Sequence, residues 1–584
     1  MPPSRSRILL WAAASGVLWA LAWPAIGGFT VLAFLAWLPL LHAERLHDLR
    51  TAGRKRAFVP YVLLAVFIWN AACSWWFFCV SEPLGTRLLS GFSPMVVNSL
   101  LMILPWWLKR VVHRSLGPRI AAVAFIAFWL AFERSHHNWD MQWPWFSIGN
   151  VFGTHPVWIQ WYEYTGMLGG SLWVLLVTYF LDKGMERLRD GTARPVAPFA
   201  LAIGIAVVPW CSSIWRFNTY RADSGPSIEA VVVQPCVDPY TEKFGGMDPM
   251  EQLDRMLALA EVEMTDSTAL VVMPETALQE GAFVDVRGRT PILHGLWEND
   301  LPAARSTERM EAFQDRHPQA ALLTGMSAEY LFPAGAVLPP TARPLFRPDE
   351  DVPASGQRWY EAYNAALFIP AVGPVEHYNK SKLVAGVEAM PFENILGTLG
   401  DVAVHLGGTS ASLGTQAERE VLTDPSSGLR LIPAICYESV FGEHVAAHVR
   451  NGGNLIAVIT NDGWWDDSPG YHQHLTFSSI RAIETRRAVV RSANTGISCF
   501  VDRRGVIQQP TDWWVPTADR RHVHLNAELT FFVRYGDLIG RAAVWCAALI
   551  LLVALVPPLR RNVPVYWTDT RRTNVRSGPE ERTT

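Results

Sequence analysis

Residues 431–438 have the sequence LIPAICYE, in which an apolar run is followed directly by a cysteine and then by polar residues. Such a run is typical of a buried strand, and the polar residues mark the point where the strand ends and the chain turns. A cysteine at this position can be exposed as a nucleophile. Cys436 is therefore the first candidate for a catalytic residue.

Strand-like and helix-like segments alternate around this stretch, in a block of mixed composition that extends from about 214 to 540. The predicted helices are 248–264 and 471–490, and the predicted strands are 227–233, 269–273, 320–324, 365–369, 431–435, 455–460 and 497–501. Alternation of this kind predicts an α/β layered domain. Residues 332–355 are rich in Pro, Gly and Ala, which predicts a long loop.

The rest of the chain has the composition of a membrane protein. Of 584 residues, 50% are hydrophobic and only 18% are charged, and the net charge of −3 does not indicate a nucleic-acid partner. Apolar segments predict about eight membrane spans, which lie at 8–27, 28–43, 58–80, 92–108, 119–133, 167–182, 195–213 and 541–558.

The charges of the connecting loops predict the topology. Basic residues concentrate on every second connection, for example Arg5 and Arg7, then Lys109 and Arg110. By the positive-inside rule both termini are cytoplasmic and the large block lies on the opposite side. The predicted domains are a seven-span region at 1–213, a catalytic block at 214–540, a last span at 541–558 and a cytoplasmic tail at 559–584. A signal peptide ending near 20–22 is the alternative for the first span.

Two more polar residues follow strand-like runs and complement the cysteine. Glu275 comes after the sequence VVMP, and Lys380 comes after EHYN. A thiol needs a base to become a thiolate, and a carboxylate such as Glu275 can accept its proton. An ammonium such as Lys380 can stabilise the thiolate and the oxyanion that forms next. Each residue alone would be unremarkable, so the hypothesis depends on the three together.

The three motifs, in this order, resemble the Glu-Lys-Cys arrangement of the nitrilase superfamily of carbon-nitrogen hydrolases. Further stretches have counterparts in one branch of that superfamily: VQP at 233–235, YNAAL at 363–367, TNDGWW at 460–465, HQH at 472–474 and RSANTGIS at 491–498. With the eight-span layout and WPW at 143–145, the chain resembles the bacterial apolipoprotein N-acyltransferase family over nearly its whole length.

This resemblance implies a polytopic helical membrane domain and a four-layer αββα nitrilase domain in the periplasm, at the inner membrane. It implies catalytic roles for Glu275, Lys380 and Cys436, and supporting roles for Glu388, Tyr437 and Glu438. The implied reaction moves an acyl chain from a phospholipid, through a thioester on Cys436, to the α-amine of the diacylglyceryl-cysteine of an apolipoprotein. No cofactor, metal or nucleic acid is implied, and we expect a monomer.

Several alternatives stay open on the sequence alone. Lys382 competes with Lys380 for the catalytic position, and residues 385–387 are AGV where the family commonly has PFG. His472 and His474, with Asp462, Asp466 and Asp467, could form a metal cluster. A tryptophan-rich connection at 134–166 could be an interfacial belt or could contact substrate. The competing functions are a membrane-tethered amidase or hydrolase and a non-catalytic binding or transport protein.

Overall fold

A computed structural model describes residues 2–51, 57–81, 83–191, 196–243, 246–283, 292–293, 295–346, 357–392 and 412–561. The described residues up to Thr219 form mostly helices, and two packed β-sheets flanked by helices follow them. A last long helix returns to the first region, where it packs along a helix of the N-terminal bundle.

The N-terminal region is a bundle of mostly apolar helices. Its elements are α1 Arg5–Ala22, α2 Leu38–Thr51, α3 Val59–Ser74, α4 Leu84–Leu101, α5 Ile103–Leu116, α6 Pro118–Ser135, α7 Tyr162–Thr165, α8 Met167–Arg189 and α9 Val196–Thr219. In the described part of the chain, four helical stretches are long and apolar enough to cross a membrane: Val59–Cys79, Leu84–Leu116, Val196–Thr219 and Leu538–Leu555. The count of eight spans stays a prediction.

The segment predicted as a span at 28–43 differs from a single helix. A 3-10 helix covers Thr30–Phe34, and α2 then begins at Leu38 and continues to Thr51, eight residues beyond the apolar run. The added turns carry charges that are neutralised by neighbouring helices: Arg45 lies 2.9 Å from Asp182 of α8, and Glu44 pairs with Lys109 of α5. Because these partners lie on other helices, an apolar-run criterion could not place the end of α2.

Two mixed sheets form the second region. The first has the strand order β16-β1-β2-β6-β8-β7, with β5 also paired to β6 and β9 to β8, and the second has the order β10-β11-β12-β13-β14-β15. The strands of the first sheet are β1 Ser227–Gln234, β2 Thr268–Val272, β5 Leu296–Trp297, β6 Ala321–Leu331, β7 Arg343–Pro344, β8 Trp359–Ile369, β9 Glu376–Asn379 and β16 Thr517–His524. Those of the second are β10 Leu422–Asp424, β11 Leu429–Ile435, β12 Leu455–Thr460, β13 Val489–Ala493, β14 Cys499–Val501 and β15 Ile507–Gln508; a separate hairpin pairs β3 Ala282–Phe283 with β4 Ile292–Leu293.

The alternation of side chains along each strand produces four layers. Ile228, Ala230 and Val232 of β1 face inward and pack against second-sheet residues such as Leu431 and Ile459. The outer face of the first sheet is covered by α10 Pro249–Glu263 and α11 Arg305–Gln314, and that of the second by α12 Gly442–Arg450 and α13 Pro469–Thr485. The remaining helices are α14 Phe531–Tyr535, α15 Leu538–Leu555 and α16 Pro557–Arg561. The predicted αββα sandwich next to a helical membrane region is confirmed.

Two sequence expectations about the sandwich need correction. The helix predicted at 471–490 ends at Thr485, because Arg486 adopts a left-handed backbone with φ of 52°, and residues 489–493 join the sheet as β13. The loop predicted at 332–355 contains the short strand β7, which pairs with Trp359 and Tyr360. Its residues 347–355, like most of the predicted tail, lie outside the described residues.

Polar contacts join the sandwich to the helical region. Arg134 at the end of α6 lies 2.8 Å from Glu443 of α12 and 2.9 Å from Asp537. On another side of the junction, Arg486 lies 2.8 Å from Glu163 of α7. Helix α13 is buried at every position except Pro469 and His472, since it lies between the second sheet and the helical bundle. The junction therefore fixes how the sandwich is seated on the bundle.

Candidate active site

The three residues singled out by the sequence come together where strands end. Glu275 follows β2, Lys380 follows β9 directly, and Cys436 follows β11 directly. The Lys380 Nζ lies 3.1 Å from Glu275 Oε1, and both charges act on the pKa of the Cys436 thiol. The structure thus assembles a carboxylate, an ammonium and a thiol in one place, as the reaction type requires.

Cys436 sits on a strained turn. Its φ is +49°, a left-handed value that non-glycine residues rarely adopt. It begins a 3-10 helix, Cys436–Val440, at the end of β11. Left-handed non-glycine residues are concentrated at functional sites, where the surrounding structure holds them in place. Here the turn leaves the cysteine only partly buried, although the strand before it lies in the core.

Glu438 ties this turn to the loop that carries Lys380. One carboxylate oxygen accepts the Ile435 N–H at 3.0 Å, and the other accepts the Ser381 N–H at 2.7 Å and the Tyr378 hydroxyl at 2.9 Å. Burial alone would raise the pKa of Glu438, but His444 and these N–H groups outweigh burial and lower the pKa to about 2. The supporting role implied for Glu438 therefore corresponds to a buried carboxylate that joins the segments carrying Cys436 and Lys380.

Glu275 is held from two sides. The Asn364 side-chain amide donates to its Oε1 at 2.8 Å, and the backbone N–H of Asn461 donates to its Oε2 at 3.1 Å. The backbone next to Glu275 passes very close to β6, where a Cβ on Gly325 would lie 2.4 Å from the Thr276 nitrogen and 2.5 Å from the Glu275 Cα. Glycine at 325 is therefore needed for this approach.

Lys380 is buried between two carboxylates, with only 1% of its side chain exposed. Besides Glu275 it contacts Glu388 at 2.9 Å. Burial alone would lower the pKa of Lys380, but the charges of Glu275 and Glu388 outweigh burial and raise it. The amine is therefore a permanent ammonium beside Cys436. Asn364 also donates to Glu388 at 2.8 Å, so one amide bridges both glutamates.

The sequence AGV at 385–387 does not prevent Glu388 from reaching the site. Gly386 adopts a φ of +82°, and its N–H donates to the Ala389 carbonyl at 2.7 Å. The turn brings Glu388 back toward Lys380 and lets its second oxygen accept the Val384 N–H at 2.9 Å. The departure from the family pattern therefore preserves the charged contacts of this loop.

The pKa of the Cys436 thiol is raised well above its ordinary value. The largest cause is burial among protein atoms, to which the charge of Glu275 adds; Lys380 acts in the opposite direction. At rest the residue is therefore a thiol. Formation of the thiolate requires transfer of the proton to a base, and the neighbouring carboxylate can accept it.

Lys382, the alternative lysine, points away from this cluster. Its Nζ donates to the His137 carbonyl at 3.0 Å and to Gln142 Oε1 at 3.2 Å, both in the connection that follows α6. Tyr437 reaches the same connection, since its hydroxyl donates to the Gln142 carbonyl at 2.9 Å. The residue after the cysteine thus contacts the helical region.

The tryptophan-rich connection lies against the site. Trp143 is stacked on the ring of Tyr437, with 6.3 Å between centroids, and Trp145 is stacked on His474 at 5.9 Å. Trp145 is only 2% exposed. An interfacial belt therefore does not describe Trp145, which packs beneath the turn of the nucleophile.

The histidines and aspartates considered as a metal cluster separate in the structure. His474 faces Asp462 at 2.9 Å, whereas His472 is exposed and its ring packs on Tyr471. Asp466 is exposed at the surface. Among the described residues, no group of three or more His, Cys, Asp or Glu side chains is arranged to hold a metal ion.

Sequence reasoning missed the residues that orient the charged groups. Asn364, Asn461 and Gln142 contact catalytic segments through amides or backbone atoms. Asn364 and Asn461 lie in the family-like stretches at 363–367 and 460–465, but the sequence assigns them no role. A signal was available for Asn364, because it shares the inward-facing side of β8 with Ala366 and Phe368, where a buried amide requires polar partners.

Comparisons with known proteins agree with this architecture. Residues 15–180 match the family model described as apolipoprotein N-acyltransferase N-terminal domain, and residues 232–520 match the carbon-nitrogen hydrolase model. The apolipoprotein N-acyltransferase of Chlorobaculum tepidum is 29% identical over 91% of this chain and 93% of its own length. That of Geobacter metallireducens is 27% identical over 94% of this chain and 95% of its own length.

The chain is also similar to a solved structure. The crystal structure of Nit3 from Saccharomyces cerevisiae, a member of branch 10 of the nitrilase superfamily, covers 55% of this chain and 98% of its own length, at 15% identity and a TM-score of 0.34.

Proposed function

Because this chain belongs to the apolipoprotein N-acyltransferase family and is an acyltransferase of the membrane, we propose that it acylates lipoproteins through a thioester on Cys436. The acyl donor is a phospholipid, and the acceptor is the α-amine of a diacylglyceryl-modified N-terminal cysteine. Glu275 is the general base, Lys380 the oxyanion donor and Cys436 the nucleophile. Glu388, Tyr437 and Glu438 hold these groups in place.

In the first half-reaction Glu275 accepts the thiol proton as the Cys436 sulfur attacks an ester carbonyl of the phospholipid. The carbonyl oxygen becomes an oxyanion, which the Lys380 ammonium stabilises. The intermediate collapses by breaking the ester C–O bond. The departing lysophospholipid oxygen takes the proton from Glu275, and the acyl chain remains on the sulfur.

The second half-reaction uses the same groups in the same order. The acceptor amine attacks the thioester carbonyl while Glu275 takes a proton from the nitrogen. Lys380 again stabilises the oxyanion, the C–S bond breaks, and the thiolate recovers the proton from Glu275. The products are an N-acylated lipoprotein and the free enzyme.

The buried ammonium of Lys380 is the observation that carries this proposal. It lies 3.1 Å from Glu275 and 2.9 Å from Glu388, with 1% of its side chain exposed, beside a partly buried cysteine on a strained turn. Burying a charge is costly unless it is paired, and this one is paired so that its charge also acts on Cys436. Ground-state stability alone does not require this arrangement, whereas oxyanion stabilisation does.

The contacts between the site and the helical region support a lipid substrate. Tyr437 contacts the connection after α6 through Gln142 and Trp143, so the nucleophile lies at the junction with the apolar helices. A site at this junction can receive an acyl chain without extracting it into water. We further propose that the protein is a monomer of the bacterial inner membrane, with the block at 214–540 in the periplasm and both termini in the cytoplasm.

Mass spectrometry of the intact protein tests the thioester. Wild-type protein is incubated with phospholipid vesicles alone, and we expect one acyl group on Cys436 that hydroxylamine removes. The variant Cys436→Ala should carry none. The matched control is Cys236→Ser, which changes another partly buried cysteine with a left-handed backbone, φ +56°; it should acylate normally. Absence of an acyl group from the wild type would refute the mechanism.

A diacylglyceryl-peptide with a free α-amine then separates transfer from hydrolysis. We expect the amide product to form and the thioester to disappear at the same rate. If free fatty acid appeared instead while the amine stayed unmodified, the protein would be a membrane-tethered hydrolase. If neither product formed and no thioester accumulated, the non-catalytic alternative would hold.

A further inference from the structure

His474 lies directly beneath the nucleophile, although the reaction described above does not use it. Its Nε2 is 3.1 Å from the carbonyl oxygen of Cys436, and its Nδ1 is 2.9 Å from Asp462 Oδ1. The side chain is 1% exposed. A carbonyl oxygen and a carboxylate oxygen only accept hydrogen bonds, so both ring nitrogens of His474 donate in these two contacts.

Asp462 fixes the orientation of this ring. Its other oxygen accepts from Arg491 Nη2 at 2.6 Å, and the Thr460 hydroxyl donates to Oδ1 at 2.9 Å. Burial alone would raise the pKa of Asp462, but Arg491 and His474 outweigh burial and lower it to about 2. Asp462 is therefore a carboxylate at neutral pH, and it anchors the imidazole from the side opposite Cys436.

The carbonyl that His474 holds belongs to the strained residue itself. It also accepts from the Ser439 hydroxyl at 2.7 Å, so two donors fix one peptide oxygen. Because the peptide bond is planar and trans, fixing this oxygen also fixes the Tyr437 N–H on the opposite edge of the same plane. The direction of the Cys436 side chain and of the next amide therefore depends on this contact.

The same part of α13 touches the helical bundle. Trp145 stacks on the His474 ring with an interplanar angle of 27°, and its Nε1 donates to Gln473 Oε1 at 2.7 Å. Gln473 in turn donates to the Cys73 carbonyl at the end of α3, at 3.1 Å. Adjacent residues of one helix thus contact both the membrane region and the nucleophile turn.

We propose that His474 is a positioning residue: its Nε2–H bond to the Cys436 carbonyl holds the nucleophile turn in its strained conformation, with the ring set by Asp462 and Trp145. This inference rests on the proposed role of Cys436 as the nucleophile. The bond offsets part of the free-energy cost of the left-handed backbone at Cys436. Through His474, it also links the position of Trp145 to the position of the reactive sulfur.

Three substitutions in the full-length protein separate this role from packing. His474→Gln places an amide nitrogen near the position of Nε2 and keeps the donor to Cys436. His474→Asn is shorter and reaches only toward Asp462. His474→Phe keeps the ring and the stacking on Trp145 but has no donor. The matched control is His472→Phe, on the exposed side of the same helix.

The readouts are the rate of Cys436 alkylation by iodoacetamide, located by peptide mapping, the rate of thioester formation from phospholipid, and thermal stability. We expect His474→Gln and His472→Phe to retain both rates within about threefold. In His474→Asn and His474→Phe both rates should fall about tenfold or more, because one buried hydrogen bond is lost. Should the Phe variant fail to fold, the comparison of Gln with Asn decides.

Two outcomes would overturn the proposal. In the first, His474→Asn and His474→Phe react as fast as the wild type; in the second, the rates of His474→Gln fall as far as those of His474→Phe. Alkylation involves no lipid, so it reports on the turn independently of acyl transfer. A wild type that alkylates in the expected pattern but never forms a thioester would refute the proposed function while leaving the positioning role intact.

Discussion

Replacement of Glu438 by Gln removes the charge that joins the cysteine turn to the lysine loop while keeping the size of the side chain. The carboxylate accepts the N–H groups of Ile435, Ser381 and Lys382, the last at 3.2 Å, as well as the Tyr378 hydroxyl. A glutamine has one acceptor oxygen, so its NH₂ group must face at least one of these donors. We therefore expect Glu438→Gln to be both less stable and less active.

The magnitude follows from the pKa. Glu438 has a pKa of about 2 instead of an ordinary 4.5, and a difference of about 2.5, at about 1.36 kcal/mol per pKa unit, corresponds to about 3 kcal/mol of stabilisation by the charge. Because the folded pKa is the lower one, this contribution is present in full above the ordinary value and is lost as the pH falls toward 2. The stability gap between wild type and Glu438→Gln should therefore be largest near neutral pH.

Thermal unfolding of both full-length proteins in detergent, from neutral pH down to about pH 3, measures this gap. Near neutral pH we expect the variant to melt several degrees lower, and the two melting temperatures should converge as the pH is lowered. Glu251→Gln is the control, since Glu251 is an exposed helix residue that pairs with Arg255. A gap that is absent, or that is the same at every pH, would refute the reasoning.

Further predictions concern the catalytic groups and the packing around them. Lys380→Met should slow thioester formation about 10²-fold to 10³-fold, which is the cost of removing one oxyanion donor. Lys382→Met, which removes contacts to His137 and Gln142, should slow it far less, and equal losses would contradict the assignment of Lys380. Alkylation of Cys436 in the free enzyme should keep accelerating as the pH rises past about 8.5, the ordinary thiol pKa, because burial and Glu275 raise the pKa of this thiol; a plateau near neutral pH would contradict it. Gly325→Ala should abolish thioester formation, since its Cβ would collide with the backbone of Glu275 and Thr276. Gly204→Ala, whose Cβ meets no atom within 4 Å, should leave thioester formation unchanged. A fully active Gly325→Ala protein would show that the close approach is not required.

The strands and the order of the three candidate residues could be predicted because both depend on local patterns. Apolar runs at 227–233, 431–435 and 455–460 coincide closely with β1, β11 and β12. A strand buried on both faces reads as a continuous apolar run, and a polar residue at its end marks the edge of the sheet. The catalytic assignments themselves stay predictions that the experiments above test.

The features that could not be predicted depend on contacts between distant segments. The end of α13 at Thr485 results from a left-handed Arg486 whose side chain pairs with Glu163, more than 300 residues earlier. Likewise α2 continues past its apolar run because Lys109 and Asp182 neutralise its charges. Local propensity contains no information about such partners.

The burial of α13 has a consequence for how the protein is made. Trp145, Gln160 and Glu163 are covered by residues 473–486, which the ribosome adds more than 300 positions later. Until that segment emerges, the connection after α6 has polar and aromatic groups without their final partners. The connection after α6 can therefore complete its contacts only after residues 473–486 have been synthesised. A chain truncated before about residue 470 would retain all the helices up to α9 yet lack the residues that cover Trp145, Gln160 and Glu163.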